Sequence, residues 1–171
     1  MNKEYAIDNE KSDFELLTQF NDYLKLVELG QCPEKWHSDA SGYTTDGRYI
    51  NIELKQRNQV LLKNLTISGQ TKEGKTYTAS TIYAETHKCG DMLLDFVCEQ
   101  KEPLYINFLQ NDIVIVYNLA HLKHRPNKVG KRIYSKLYEG FELAKREELE
   151  IEDAFIYKKM ENNEYKLIHR P

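Results

Sequence analysis

The segment from Tyr49 to Arg57, YINIELKQR, constrains the fold more than any other because its residues alternate. Ile50, Ile52 and Leu54 fall on one face, and Asn51, Glu53 and Lys55 on the other. A period of two belongs to a strand, and it sends Glu53 and Lys55 out from the same side of a sheet. A second short strand precedes it, closed by an Asp46-Gly47 turn and carrying Asp39 near its start. A two-residue loop would pair Asp39 with Leu54. A three-residue loop, Thr45 to Gly47 with Gly47 left-handed, pairs Asp39 with Glu53 and sets Ala40 opposite Ile52 and Gly42 opposite Ile50. The second register keeps one face apolar throughout, and a slip by one residue would scramble both faces, so it is the one expected.

Two carboxylates and an ammonium on one strand face are costly to gather unless they are paired or hold a metal. A divalent cation beside a functional lysine accounts for all three. The tripeptide alone does not, since Glu-x-Lys occurs four times, at Glu53, Glu73, Glu99 and Glu164. Glu73 flanks a glycine turn, Glu99 ends a helical pattern and Glu164 follows a polar turn. Only Glu53-Leu54-Lys55 lies in an apolar-alternating strand with an aspartate one hairpin back. A solvated strand face with an incidental pair is the plain alternative, and such pairs are worth little.

The flanking elements give the context. Ser12-Asp13-Phe14-Glu15 matches a capping box, and Phe14, Leu17, Phe20, Leu24 and Val27 recur at helical spacing. They predict a helix over 13–29 with Gly30 as its C-terminal cap. A hairpin tip is read at Lys72 to Lys75. A second helix is read from Tyr83 or Ala84 to Gln100, with Met92, Leu93, Phe96 and Val97 as its buried stripe. LYINFL and IVIVYNL, separated by Gln110-Asn111-Asp112, form the clearest hairpin, and their β-branched content places them centrally. Beyond it lie a loop through Pro126 and Gly130, a short helix over 141–150 and a terminal strand pair.

The order of helix, Asp-bearing strand, Glu-x-Lys strand, helix and strand resembles the PD-(D/E)xK nuclease superfamily from Ser12 to Leu119. Asp39 matches the first acid, Glu53 the second and Lys55 the lysine; Ser38 stands where the motif often has proline. The resemblance implies an α/β, restriction-endonuclease-like mixed β-sheet flanked by helices (an αβββαβ core). An extra C-terminal helix and strand pair follow here. It implies one domain over 1–171, with a core over 12–119 and an extension over 120–171. It implies a Mg²⁺- or Mn²⁺-dependent nuclease acting on nucleic acid, DNA in the first instance. Asp39, Glu53 and the carbonyl of Leu54 would hold the metal, and Lys55 would orient water or stabilise charge. Glu85 and Lys88, three apart on the second helix, and Arg57 on the motif face are auxiliary candidates. A catalytically inactive nucleic-acid-binding or assembly module on the same fold is the competing reading.

Composition narrows the class. A chain of 171 residues, 40% apolar and 30% charged, can bury its own core. No apolar run approaches the roughly 20 residues that span a bilayer. The charged N-terminus has no signal-peptide core, so a cytoplasmic location is expected. Cys32, Cys89 and Cys98 form no pair motif and are read as small buried apolar groups. The net charge of −3 disfavours nonspecific coating of nucleic acid. Yet Lys123, Arg125, Lys128, Lys131, Arg132 and Lys136 lie in a stretch with no acid, before seven acids over 139–153. Such asymmetry marks either a phosphate-contacting surface or a loop balanced by its acidic neighbour. Cutting both strands of a duplex would favour a homodimer.

Overall fold

The structure, a computed structural model, describes the backbone of residues 3–33, 38–71, 73–135 and 140–171. Side chains are described for these residues outside 3–11, 131–135 and 140–144. In chain order the elements are α1 (Lys3–Leu24), β1 (Leu26–Gln31), β2 (Ala40–Thr44) and β3 (Tyr49–Arg57). Then come β4 (Val60–Leu61), β5 (Ile67–Gln70), β6 (Thr76–Ala79), β7 (Thr81–Glu85) and α2 (Thr86–Glu99). β8 (Glu102–Leu109), β9 (Ile113–Asn118), β10 (Asn127–Ser135), β11 (Gly140–Glu150), β12 (Phe155–Lys159) and β13 (Tyr165–His169) complete the chain. The large sheet has seven strands in the order β1-β2-β3-β8-β9-β12-β13. β3 and β8 run parallel, and every other pairing in that sheet is antiparallel. Parallel neighbours need a crossover, and here it contains β4 to β7 and α2. The order α1-β1-β2-β3-α2-β8 is thus the expected αβββαβ core, with β4 to β7 inserted.

Each face of the sheet has its own core. α1 buries Leu17 and Phe20 against Ile52, Leu54 and Ile106 on one face. α2 buries Cys89 and Met92 against Ile82, Tyr105 and Ile115 on the other. From Ile50 to Leu54, β3 is buried at every position, so the face carrying Asn51 and Glu53 is roofed by protein and not solvated. Tight turns close the β2–β3 and β5–β6 hairpins, with Gly47 and Gly74 at positive φ. The hairpin of β8 and β9 also forms, and its strands lie at the sheet centre.

Several sequence expectations are corrected. The first helix stops at Leu24, not at residue 29, and its Ser12 box lies inside the helix. Lys25 turns left-handed, Asn21 brackets Leu26 through both its side-chain atoms, and Leu26 to Gln31 pair with β2 as a strand. Gly30 is therefore a strand residue. The second helix begins at Thr86, because Thr81 to Glu85 pair with β11. Val97 is 77% exposed, and Cys89 takes the buried place beside Met92. Cys98 is exposed and Cys32 half-buried, so only Cys89 matches the reading of buried thiols. The expected helix over 141–150 is strand β11. Its glutamates favour helix intrinsically, but two partner strands and the burial of Glu147, Leu149 and Ile151 at alternate positions decide for sheet.

Candidate active site

β2 begins only at Ala40, one residue after Asp39, and that late start shapes the site. Ala40 pairs with Ile52 and Gly42 with Ile50, the register of the three-residue loop. The Asp39 backbone is fixed from both sides: its N–H donates to the Ile52 carbonyl at 2.8 Å, and its carbonyl accepts from Cys32 N–H at 2.9 Å. Where the ladder stops, Asp39 Oδ2 accepts the Leu54 N–H at 2.7 Å and replaces the missing strand partner. Its other oxygen, Oδ1, faces the lysine of α2. Asp39 thus lies beside Glu53, just where β3 runs on past its last β2 partner, Ile52.

Glu53 is fully buried. Its Oε1 receives Lys55 Nζ at 2.7 Å and Lys88 Nζ at 2.6 Å, and Lys88 Nζ is 3.7 Å from Asp39 Oδ1. Its Oε2 is buried without a hydrogen-bond partner. Burial pushes the Glu53 carboxyl up to about 7; Lys55 and Lys88 oppose the shift, and Asp39 adds to it. For Lys55, burial works against the charge, but the Glu53 carboxylate outweighs it and Glu85 adds, so its ammonium is held above the usual lysine range. The acid is wholly desolvated and the lysine only partly, so the cost of the pair falls on Glu53. Lys55 is therefore held as a cation, suited to orienting a group or meeting developing negative charge.

Two tethers set α2 over β3. Asn51 Nδ2 donates to Asp95 Oδ2 at 2.9 Å, and Lys88 reaches Glu53. Asn51 and Glu53 are two residues apart on the strand, while Asp95 and Lys88 are two turns apart on the helix, running the opposite way. Glu85 is not on the helix face with Lys88, as expected, but is the N-cap residue before it. Its negative charge still acts on the site, adding to the rise of the Lys55 ammonium above its ordinary range.

Arg57 continues the motif face but is engaged within the fold. Its Nε donates to Asn107 Oδ1 at 2.6 Å, and its Nη2 to the Tyr83 carbonyl at 2.6 Å and to Tyr105 Oη at 3.1 Å. Tyr105 and Asn107 stand directly beside Glu53 and Lys55 in the parallel register. Sequence reading missed both, although an asparagine inside LYINFL was a visible signal. Hydrogen bonds from a charged donor are worth about 1.5–3 kcal/mol. Arg57→Ala is expected to lower stability by about that amount in urea denaturation; an unchanged midpoint would show the guanidinium to be free.

Of the basic residues, Arg125 and Lys128 line a separate cavity of about 300 Å³ with His124, Cys89 and Glu147, and no motif residue lines it. Lys123 is exposed. Lys136 and the side chains of Lys131 and Arg132 lie outside the described residues.

The residues fit a magnesium-type ion. One Glu53 oxygen is buried without a hydrogen-bond partner, the Lys88 ammonium links the other to Asp39, and Mg²⁺ commonly takes one or two carboxylates with water and substrate oxygens. Among the described residues no group of three or more His, Cys, Asp or Glu gathers for a metal, so these two acids would carry it. Among them too, no helix is long and apolar enough to cross a membrane.

No family model and no curated protein matches the sequence. Among solved structures, the chain is similar to Archaeoglobus fulgidus Hjc, a Holliday junction resolvase from an archaeal hyperthermophile. Identity is 12% and the TM-score 0.43, over 82% of this chain and 95% of that one.

Proposed function

We propose that the chain is a divalent-metal-dependent nuclease that hydrolyses phosphodiester bonds in DNA. The observation that carries this is the pairing of the buried, half-satisfied Glu53 with Asp39 just before β2, beside the ammonium of Lys55. Asp39 and Glu53 would hold Mg²⁺ or Mn²⁺. The Leu54 carbonyl leaves β3 on the same edge as its N–H, the edge where Asp39 sits, and would add an oxygen. The ion, when bound, would acidify a water and neutralise charge on the phosphate. Lys55 then positions that water or the phosphate oxygen by a charge-assisted hydrogen bond. Tyr105 and Asn107 stand beside Glu53 and Lys55 on the neighbouring strand.

The test is nicking of plasmid and of single-stranded DNA in Mg²⁺, Mn²⁺ or EDTA. Activity is expected only with metal, and Lys55→Ala should lower it on the order of 100-fold, the size of one lost charge-stabilising donor. Equal residual activity in wild type, Lys55→Ala and Glu53→Ala would sink the reading. DNA binding without cleavage would favour the inactive module instead.

Metal uptake should also follow pH. Below about 7 the Glu53 carboxyl holds a proton that an incoming cation must displace. Mn²⁺ affinity is therefore expected to fall about tenfold per pH unit below that point and to level off above it. Calorimetry in two buffers of different ionisation heat would count the proton released; a flat profile from pH 5 to 8 contradicts it.

A further inference from the structure

The ammonium of Lys88 stands where the two acids of the site converge, 2.6 Å from Glu53 Oε1 and 3.7 Å from Asp39 Oδ1. Glu53 Oε1 already receives Lys55 at 2.7 Å, so two ammoniums meet on one oxygen while its twin has no partner. Lys88 gains nothing from its helix. It lies in the first turn of α2, where the helix dipole disfavours a cation. What holds it is the pair of carboxylates. With Lys55 alone, Asp39 and Glu53 would leave one negative charge in a roofed site; Lys88 brings the four groups to neutrality.

We propose that Lys88 is the resident cation of the metal-free site, and that a divalent ion enters between Asp39 and Glu53 only by displacing its ammonium. The inference rests on the metal-dependent reading above and adds a competitor that the chain itself supplies. An ammonium and a divalent ion repel strongly at the few ångströms that shared oxygens impose. A lysine has four rotatable carbons with which to leave. The metal-free protein is thereby spared one unbalanced negative charge under α2, and metal occupancy becomes a threshold set by the strength of the lysine bridge.

The test uses the full chain stripped of metal, at pH 8, with free Mn²⁺ counted by electron paramagnetic resonance. Lys88→Met is expected to bind Mn²⁺ about tenfold tighter than wild type or more, the size of one charge-assisted hydrogen bond no longer in competition. Without metal it should melt below wild type, and Mn²⁺ should raise its melting temperature by more than it raises that of wild type. Equal or weaker affinity in Lys88→Met overturns the proposal and leaves the metal-dependent reading standing. Absence of Mn²⁺ binding in both proteins overturns both. A second measurement needs no variant: lysine acetylation read by mass spectrometry with and without Mg²⁺. Lys88 should become several-fold more reactive when Mg²⁺ is present, and unchanged reactivity at saturating Mg²⁺ overturns the proposal.

Discussion

On the proposed nuclease function, Glu53→Gln is expected to leave a folded protein that cleaves DNA roughly 10²–10³-fold more slowly than wild type in Mg²⁺. The amide has the carboxylate's shape but must choose an orientation. Lys55 and Lys88 both donate to the Oε1 position, so the amide oxygen turns to them and the NH₂ group takes the place of Oε2. A donor then stands where an unsatisfied acceptor stood, and the proposed cation would lose a ligand. The same variant reports the Glu53 charge through stability. Its folded-state carboxyl titrates near 7, against 4.5 for an ordinary glutamate. A raised value means that the folded state keeps its proton longer, so the stabilising contribution is full below 4.5 and lost as pH rises through about 7. Glutamine does not titrate. The stability of Glu53→Gln relative to wild type should therefore climb by roughly 3 kcal/mol between pH 4.5 and 8. Chemical denaturation across that range would show it, and a constant difference would mean that burial does not govern the Glu53 charge.

Phe20→Ala is expected to be the most damaging core substitution tested, at about 3–5 kcal/mol. Phe20 is fully buried and packs against four other rings, those of Tyr23, Phe108, Tyr157 and Tyr165. It joins α1 to the central strand β8 and to the terminal pair β12 and β13, so its loss opens a cavity between three separate parts of the chain. Thermal melting should fall by roughly 10 °C or more in a domain of this size. Val97→Ala, on the exposed side of α2, should stay within about 0.5 kcal/mol of wild type. Equal effects of the two would mean that α1 does not seal that face.

What was legible in the sequence was local or periodic. The alternation in YINIELKQR fixed β3 and the side shared by Glu53 and Lys55. The demand for one apolar face selected the three-residue loop that the structure has, because a strand period of two penalises a one-residue slip at every position. Asp46-Gly47 and Gln110-Asn111-Asp112 marked turns by their chemistry. The readings that failed were those in which local preference competes with distant partners. FELAKREELE carries helix-favouring residues, and only its pairing with β7 and β10 makes it a strand. Leu26 to Gln31 continues the pattern of α1 on paper, and β2 claims it instead.

The candidate site divides along the same line. The sequence by itself determined that Asp39, Glu53 and Lys55 could share one face, since hairpin register and strand period follow from neighbours in the chain. Only the tertiary structure decided that this face is roofed and that Glu53 is stripped of water. It also brought Lys88 across from α2 onto both acids and tied Arg57 to Asn107 and Tyr105 within the fold. Burial and charge pairing depend on which elements come to lie above a strand. That choice is made by the crossover from β3 to β8, whose register is set by contacts some fifty residues apart and written in no single stretch of the chain.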